Sequence, residues 1–374
     1  MIEEIKTISE VQNAAIELEK EISNYVVGWS DVIRFLIIGI FTGGHILIEG
    51  VPGTAKTYLA KIFSDTMNLS FHRIQSTPDL MPSDITGSHI FNVKTLEFDF
   101  HRGPIFANLV LMDEINRAPP KTQAALLEAM QEGQVTVDGV TSILDRPFMI
   151  VATKNPIEFA GTFPLPPAQL DRFMARLIMN YPPKESWIDV LEKKNQRGEI
   201  VNVNPILNQS AVLSAQKIIQ TQITVSDDIL SYIADFCRTT RDSNRIILGA
   251  SPTASVSLLS AARGYAAVVH GRDHVTIDDV KDISFDVLNH RFIIPQIDIS
   301  SNEQINSDEQ KKIANASISN AQKAFDKKIV TEIEPLKKYT VAENYHQNFY
   351  NNNKNAPYCS FVITPKLKKL NLIK

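Results

Sequence analysis

The sequence predicts an α/β protein in which a parallel sheet flanked by helices precedes an all-helical domain. Three observations support this fold class. Short apolar segments alternate with helical stretches between residues 25 and 181. Helical periodicity dominates residues 182–297, after the break at Pro182 and Pro183. From residue 298 the chain becomes rich in Lys and Asn, which marks residues 298–374 as a separate C-terminal segment.

The first predicted element is an amphipathic N-terminal helix over residues 1–24, with apolar side chains at helical spacing. The domain over residues 25–181 then contains five short apolar segments bounded by turns, as expected of buried parallel strands. These predicted strands are residues 46–48, 70–74, 109–112, 148–152 and 177–179. In the helical domain, Ser226 and Thr276 each precede two acids, which is typical of helix N-termini.

Composition excludes several classes of protein. Over 374 residues, 44% hydrophobic and 21% charged residues are typical of a soluble globular chain. A net charge of −4 gives no overall case for binding nucleic acid or an anionic membrane. Cys237 and Cys359 form no disulfide framework or zinc site. No run reaches the ~18 apolar residues of a membrane span, and no signal-peptide core is evident, so we expect a cytoplasmic protein.

A phosphate-binding pattern lies between the first predicted strand and the helix that follows it. Strand, tight loop and helix form the context that a Walker A motif requires. Backbone N–H groups of such a loop hold phosphate oxygens. We expect Lys56 to neutralise the β- and γ-phosphates of ATP and Thr57 to bind Mg²⁺. The predicted nucleotide-binding residues are Gly50, Val51, Pro52, Gly53, Thr54, Ala55, Lys56, Thr57, Tyr58 and Asp113.

Ala55 departs from the motif, because the residue before the lysine is usually glycine. Alanine tolerates helical backbone angles well, so it fits if this position already lies in the first helical turn. Read alone, the segment is also compatible with an ordinary strand-to-helix turn.

A second signal is the apolar strand 109–112 followed by two acids. We expect Asp113 to contribute to the Mg²⁺ site, partly through water, and Glu114 to activate the attacking water. Helix N-termini often carry such acids, but an acid pair that follows a phosphate loop favours the catalytic interpretation.

Two further residues are candidates for catalysis. Asn155 follows the strand 148–152, where its amide could contact the γ-phosphate or the attacking water, although an Asn-Pro turn is the simpler alternative. Arg172 could act as an arginine finger toward a neighbouring subunit. Its alternative is an ion pair with Asp171 or another carboxylate.

Together these residues resemble the MoxR family of AAA+ ATPases over residues 22–295. The matching stretches are residues 50–57, 78–87, 103–108, 113–123, 161–166 and 169–173. The resemblance implies an AAA+ core with a helical lid, Mg-ATP as cofactor and a hexameric ring. It also implies chaperone-like remodelling of protein complexes, with von Willebrand factor A-domain proteins as partners. Two insertions of the family, at residues 80–100 and in a hairpin at 135–144, would point toward the pore or the substrate.

One position departs from the family. An Arg that reports nucleotide state to the lid usually follows the segment 249–252, and Thr253 occupies that position here. Because Thr253 carries no charge, a nucleotide-binding scaffold with weak hydrolysis is a second hypothesis. Arg245 and Arg263 lie nearby in sequence. The run His290-Arg291-Phe292 ends the lid and is interpreted as structural.

Residues 304–370 resemble the C-terminal half of peptide methionine sulfoxide reductase A. The Gly-Cys-Phe-Trp motif that carries the nucleophile in that family is absent, and Asn344 replaces the acid after Glu343. A reductase fusion without activity is therefore a third hypothesis. Half a domain lacks its core partners, so we expect poor order in this segment. Two other AAA+ roles are weaker alternatives: a sigma-54 activator needs a loop motif that is absent here, and a DNA motor would predict a basic pore, whereas residues 1–299 are acidic overall.

Overall fold

The structure is a computed structural model, and it describes residues 1–156, 161–181, 187–188, 203–243 and 246–293. All of these residues lie in one compact unit, Met1–Pro295. The segment that resembles the reductase, and the expectation of poor order there, lie outside the described residues. So does Arg245.

A five-stranded parallel sheet forms the centre of the core. Its strands are β1 (Ile46–Gly50), β2 (Phe71–Gln75), β5 (Leu109–Asp113), β8 (Met149–Lys154) and β9 (Ala175–Met179). They lie in the order β2-β5-β8-β1-β9. Every residue of β5 is buried and all but the last of β8, as expected of central strands that are covered on both faces. All five predicted strands are confirmed, with ends that differ by one or two residues.

Two antiparallel hairpins interrupt this core. The first joins β3 (Gly87–Asn92) to β4 (Glu97–Arg102), and it extends two residues beyond the predicted insertion at residues 80–100. The second joins β6 (Gln134–Val137) to β7 (Val140–Ile143), which confirms the predicted hairpin. Its turn residues Asp138 and Gly139 both have positive φ, the requirement of a tight two-residue hairpin turn.

Helices cover both faces of the sheet and form the lid. One apolar core contains the N-terminal and lid helices, and a second lies under α5 and the hairpins. The helices are α1 (Ile8–Tyr25), α2 (Ser30–Thr42), α3 (Lys56–Asp65), α4 (Pro82–Thr86), α5 (Pro120–Glu132), α6 (Pro167–Leu170), α7 (Gln209–Gln222), α8 (Asp227–Asp242), α9 (Pro252–Val268) and α10 (Ile277–Leu288). A 3-10 turn spans Ile115–Arg117.

Two lid helices begin at the residues that the sequence indicates. Ser226 caps α8 by accepting a hydrogen bond from the N–H of Ile229. Thr276 caps α10 by accepting a hydrogen bond from the N–H of Asp279. The N-terminal helix α1 packs against α2 and α9, and Gln12 donates a hydrogen bond to the carbonyl of Val269 just beyond α9. In the described ranges, no helix combines the length and apolar character that crossing a membrane requires.

Candidate functional site

The phosphate loop (residues 50–57) connects β1 directly to α3. Gly50 lies so close to β9 that a Cβ there would come within 2.5 Å of the carbonyl oxygen of Met179. Gly53 has a φ of +82°, a conformation that L side chains rarely adopt, and open space surrounds its Cα. Thr54 is buried and its hydroxyl donates to the carbonyl of Val51 at 3.0 Å, which closes the loop on itself. The loop therefore has the tight start and open tip of a phosphate cradle.

Ala55 does not lie in a right-handed helical turn, so that expectation is wrong. It is the N-cap of α3, with φ +61° and ψ +25° in the left-handed region. The Cβ of an L residue crowds the following carbonyl in this conformation. The motif's usual glycine is thus replaced at a position where glycine is favoured on physical grounds.

Lys56 is the first residue of α3. Its ammonium group donates to the carbonyl of Gly50 at 2.7 Å and to that of Val51 at 2.9 Å. Partial burial lowers the pKa of Lys56, while the charges of Asp113 and Glu114 act in the opposite direction. The cation therefore lies inside the loop, close to the two acids, where phosphate oxygens could replace the carbonyl groups as its acceptors.

Asp113 ends β5 beside the phosphate loop. Its Oδ2 accepts hydrogen bonds from Thr57 at 3.2 Å and from Arg73 at 2.7 Å, and its Oδ1 accepts one from Thr153 at 2.6 Å. Burial alone would raise the pKa of Asp113. The hydrogen bonds from Thr153 and Arg73 and the charge of Arg73 outweigh burial, and the pKa is lowered. The carboxylate is thus held in its ionised form.

Glu114 follows in a left-handed conformation, with φ +56°. Its N–H donates to the hydroxyl of Thr153 at 2.9 Å, so that one threonine fixes both acids. Its side chain accepts a hydrogen bond from Gln75 at 3.3 Å and pairs with Arg117 at 3.2 Å. The structure thus gives Thr153, Arg73, Gln75 and Arg117 contacts to the acid pair. Arg117 lies within the matching stretch 113–123, but none of the four is among the site residues that the sequence predicts.

Asn155 and Tyr58 lie near this centre. Asn155 is buried directly after β8, which pairs with β1 on one side and β5 on the other. Because parallel strands end at the same edge of the sheet, Asn155 lies at the edge that carries the loop and the acids. Tyr58 lies in the first turn of α3 and is partly exposed.

The side chain of Arg172 contacts α5. Its guanidinium donates to the side chain of Gln131 and to the carbonyl of Leu127, both on α5. Among the described residues, the side-chain hydrogen bonds of Arg172 go to α5 and none goes to the phosphate loop of its own chain. The alternative ion pair between Arg172 and Asp171 is not formed, because Asp171 pairs with Arg291 at 2.8 Å.

Thr253 is exposed in the first turn of α9, and its side chain carries no charge. The preceding N-cap residue, Ser251, donates to Asp171 of the core at 2.7 Å. Arg291, which follows α10, is buried against the same carboxylate. The run 290–292 is thus structural as expected, and it also joins the lid to the residue before Arg172.

The residues of the site fit Mg-ATP. Lys56 and the open glycine tip suit phosphate groups, and the Thr57 hydroxyl and the Asp113 carboxylate lie side by side as hard oxygen ligands. In the described part of the chain, no cluster of three or more His, Cys, Asp or Glu could hold a metal. The pair formed by the Thr57 hydroxyl and the Asp113 carboxylate suits Mg²⁺, because this ion keeps several waters and takes its remaining ligands from substrate phosphates.

Comparison with known proteins covers the core, the lid and the C-terminal segment. Residues 45–175 match the ATPase family associated with various cellular activities (AAA), and residues 238–311 match the AAA lid domain. Residues 302–373 match peptide methionine sulfoxide reductase. Over 63 residues the chain is 49% identical to a reductase of Sulfolobus acidocaldarius, and this stretch spans 36% of the length of that enzyme.

Three relatives align across the core and the lid. YeaC of Bacillus subtilis is 42% identical over 74% of this chain and 85% of its own length. Chaperone MoxR1 of Mycobacterium tuberculosis is 38% identical over 73% of this chain and 74% of its own. A crystal structure from Cytophaga hutchinsonii, provisionally described as an ATPase, has a TM-score of 0.73 at 38% identity and covers 82% of this chain and 94% of that one. With relatives of this similarity aligned over most of their length, the chain belongs to the MoxR type of AAA ATPases.

Proposed function

We propose that the chain is a Mg-ATP-hydrolysing motor that acts as a chaperone-like remodeller of protein complexes in the cytoplasm. The observation that carries the proposal is the meeting of Lys56, Thr57 and Asp113 at one edge of the sheet. Lys56 and the backbone of residues 50–57 bind the phosphates. Thr57 and Asp113 hold Mg²⁺, which when bound neutralises charge on the β- and γ-phosphates.

In this proposal Glu114 accepts the proton of the attacking water. Its carboxylate is held between Gln75 and Arg117, one residue after the Mg²⁺ ligand Asp113. Asn155, buried at the same edge, orients the γ-phosphate or the water through its amide. Tyr58 lies close enough in sequence to Thr57 to line the nucleotide site.

The proposal includes a ring of identical subunits, with six as the family's number. Arg172 contacts α5 of its own chain and not its own phosphate loop, which suits a residue that acts on the nucleotide of a neighbour. A head-to-tail contact repeated around a closed ring brings each Arg172 to the next subunit's site. There its charge would stabilise the transition state for γ-phosphoryl transfer.

Client proteins would bind the hairpins. The tip of the β3–β4 hairpin exposes apolar side chains, with Val93 at 77% and Phe98 at 67% exposure. His89 on β3 hydrogen-bonds Asp138 in the β6–β7 turn at 2.9 Å, so that the two hairpins lie side by side. Exposed apolar surface on a soluble chain is typical of a protein-binding site. Proteins with von Willebrand factor A domains are the class of partner that the family suggests.

The decisive experiment compares phosphate release by the wild-type chain and by Glu114→Gln, together with binding of a fluorescent ATP analogue. We expect the variant to bind the analogue as tightly as wild type and to release phosphate at least ~100-fold more slowly. Glu17→Gln, which makes the same chemical change at an exposed residue of α1, is the control and should retain the wild-type rate. Equal rates for Glu114→Gln and wild type would overturn the proposal.

Thr253 motivates the second candidate, a nucleotide-dependent scaffold that binds ATP and hydrolyses it weakly. The same experiment separates the two, because a scaffold binds the analogue but shows only a slow rate that Glu114→Gln does not change. The C-terminal segment contributes no reductase chemistry in this proposal, since the sequence lacks the Gly-Cys-Phe-Trp nucleophile motif. Turnover of methionine sulfoxide with a thiol reductant would contradict that statement.

A further inference from the structure

Asp171 is the residue immediately before Arg172, and two residues of the lid hold its carboxylate. Oδ1 lies 2.8 Å from Nε of Arg291, which follows α10. Oδ2 accepts a hydrogen bond of 2.7 Å from the hydroxyl of Ser251, the N-cap of α9. Both oxygens of one core carboxylate are therefore occupied by the lid.

Arg291 also holds the backbone on both sides of Arg172. Its Nη2 donates to the carbonyl of Asp171 at 3.0 Å and to the carbonyl of Phe173 at 2.8 Å. The side chain of Arg291 is 1% exposed, so its charge has little access to water. A buried guanidinium whose partners are all fixed holds its neighbours in one geometry, because an unpaired buried charge is strongly unfavourable.

The remaining hydrogen bonds of Arg291 connect the backbone around Arg172 to the lid helices α9 and α10. Nη1 donates to the carbonyl of Val287 on α10 at 2.9 Å, and Nη2 lies 3.0 Å from the hydroxyl of Ser257 on α9. His290 adds a hydrogen bond of 3.0 Å to the carbonyl of Phe173. A shift of either lid helix would therefore move the backbone that carries Arg172.

We propose that Ser251 and Arg291 are positioning residues that set the arginine finger Arg172 through Asp171. The lid of one subunit would thereby control hydrolysis in the site that its finger completes on the next subunit. This inference rests on the proposed role of Arg172. It couples the lid of one subunit to the nucleotide site of the next subunit, and this coupling requires no charged side chain at Thr253.

The route begins at the N-terminus of α9. Ser251 caps this helix by accepting a hydrogen bond from the N–H of Ala254 at 2.9 Å, while its own proton goes to Asp171. Thr253 lies in the same first turn, at the position where the family places its nucleotide-sensing Arg. A change of the lid at this turn is thus transmitted to Asp171 through a single hydroxyl group.

The mildest test variant is Ser251→Gly. Glycine is nearly as good an N-cap as serine, so that the helix is kept and only the hydroxyl donor to Asp171 is lost. Ser226→Gly is the matched control, because Ser226 caps α8 in the same way and its side chain bonds the N–H of Ile229. Both substitutions are made alone and in combination with Arg172→Ala, and Tm is measured for each chain.

We expect Ser251→Gly to lower kcat for ATP hydrolysis by ~5-fold, the effect of one lost hydrogen bond on the finger's placement. Affinity for a fluorescent ATP analogue should stay as in wild type, because the phosphate loop is untouched. In the Arg172→Ala background the same substitution should lower kcat no further, since its effect passes through the finger. Ser226→Gly should leave kcat unchanged in both backgrounds.

Two results would overturn the inference while leaving the finger intact. One is an equal fall of kcat on Ser251→Gly in both backgrounds, and the other is no fall in either. A merely structural role would appear as a lower Tm and weaker analogue binding, and it would also overturn the inference. If Arg172→Ala itself leaves kcat at the wild-type value, then the proposed finger fails, and the inference fails with it.

Discussion

The guanidinium of Arg73 lies 2.7 Å from Oδ2 of Asp113, the same oxygen that accepts the hydrogen bond from Thr57. Arg73 projects from β2, which runs parallel to β5 and pairs with it in register. The residue that the proposal assigns to Mg²⁺ is thus already paired with a cation. Binding of the metal would compete with Arg73 for this carboxylate.

We therefore predict that Arg73→Gln lowers the Mg²⁺ concentration needed for half-maximal binding of a fluorescent ATP analogue. The ion pair is partly exposed, so its loss corresponds to ~1 kcal/mol and a shift of the midpoint of ~5-fold. Titration of Mg²⁺ at fixed analogue concentration measures it. Arg117→Gln is the control, since Arg117 pairs with Glu114 and not with Asp113, and its midpoint should match wild type. An unchanged or higher midpoint for Arg73→Gln would contradict the competition.

Ala55→Gly should stabilise the chain. The φ of +61° at Ala55 is unfavourable by ~1–2 kcal/mol for an L residue, and glycine removes most of this at a smaller entropic cost. We expect Tm to rise by ~2 °C in nucleotide-free protein. Ala124→Gly on the exposed face of α5 is the matched control and should lower Tm, because glycine weakens a helix interior. A fall of Tm for both variants would show that Ala55 is not strained.

The sequence predicts the parts of the site whose positions follow from the order of strands and loops along the chain. It does not predict the parts that depend on local backbone conformation or on contacts between distant residues. The phosphate loop and Asp113 follow parallel strands of one sheet, and such strands end at the same edge, so that their meeting follows from the pattern. The conformation of Ala55 does not follow, because the left-handed region is unfavourable for alanine and the sequence therefore favours a right-handed turn there. Arg73 escapes sequence reasoning because a polar residue on a half-exposed strand carries no periodic signal.

The ion pair between Asp171 and Arg291 is likewise not predictable from the sequence. Asp171 and Arg291 are separated by 120 residues along the chain, and nothing in either local sequence indicates the partner. Each residue has a simpler local explanation, a surface pair for Asp171 and a helix end for Arg291. Only the packing of the lid helices against the start of β9 brings the two charges together.

Asp286 predicts a pH dependence of stability. Burial first, and then the charge of Asp31, raise the pKa of Asp286 from 3.8 to about 6. The unfolded chain releases this proton near the ordinary value and the folded chain releases it only near pH 6. The folded state therefore loses stability as the pH rises between these values, and the loss is complete above them.

Asp286→Asn should accordingly raise the free energy of unfolding at pH 8, by ~1 kcal/mol after allowance for solvent screening, and should change it little at pH 4. Thermal melts at the two pH values measure the difference. A gain of equal size at both pH values would assign the effect to packing and contradict the titration.

In the proposed ring, each ATP site combines the phosphate loop of one subunit with Arg172 of the next. Lys56→Ala removes the first half of every site in a ring, and Arg172→Ala removes the second, so that each variant alone should release phosphate very slowly. In rings assembled from an equal mixture, about a quarter of the interfaces join an intact loop to an intact finger. We expect the mixture to recover about a quarter of the wild-type rate of phosphate release. A mixture no more active than its two components, in rings shown to contain both chains, would contradict it.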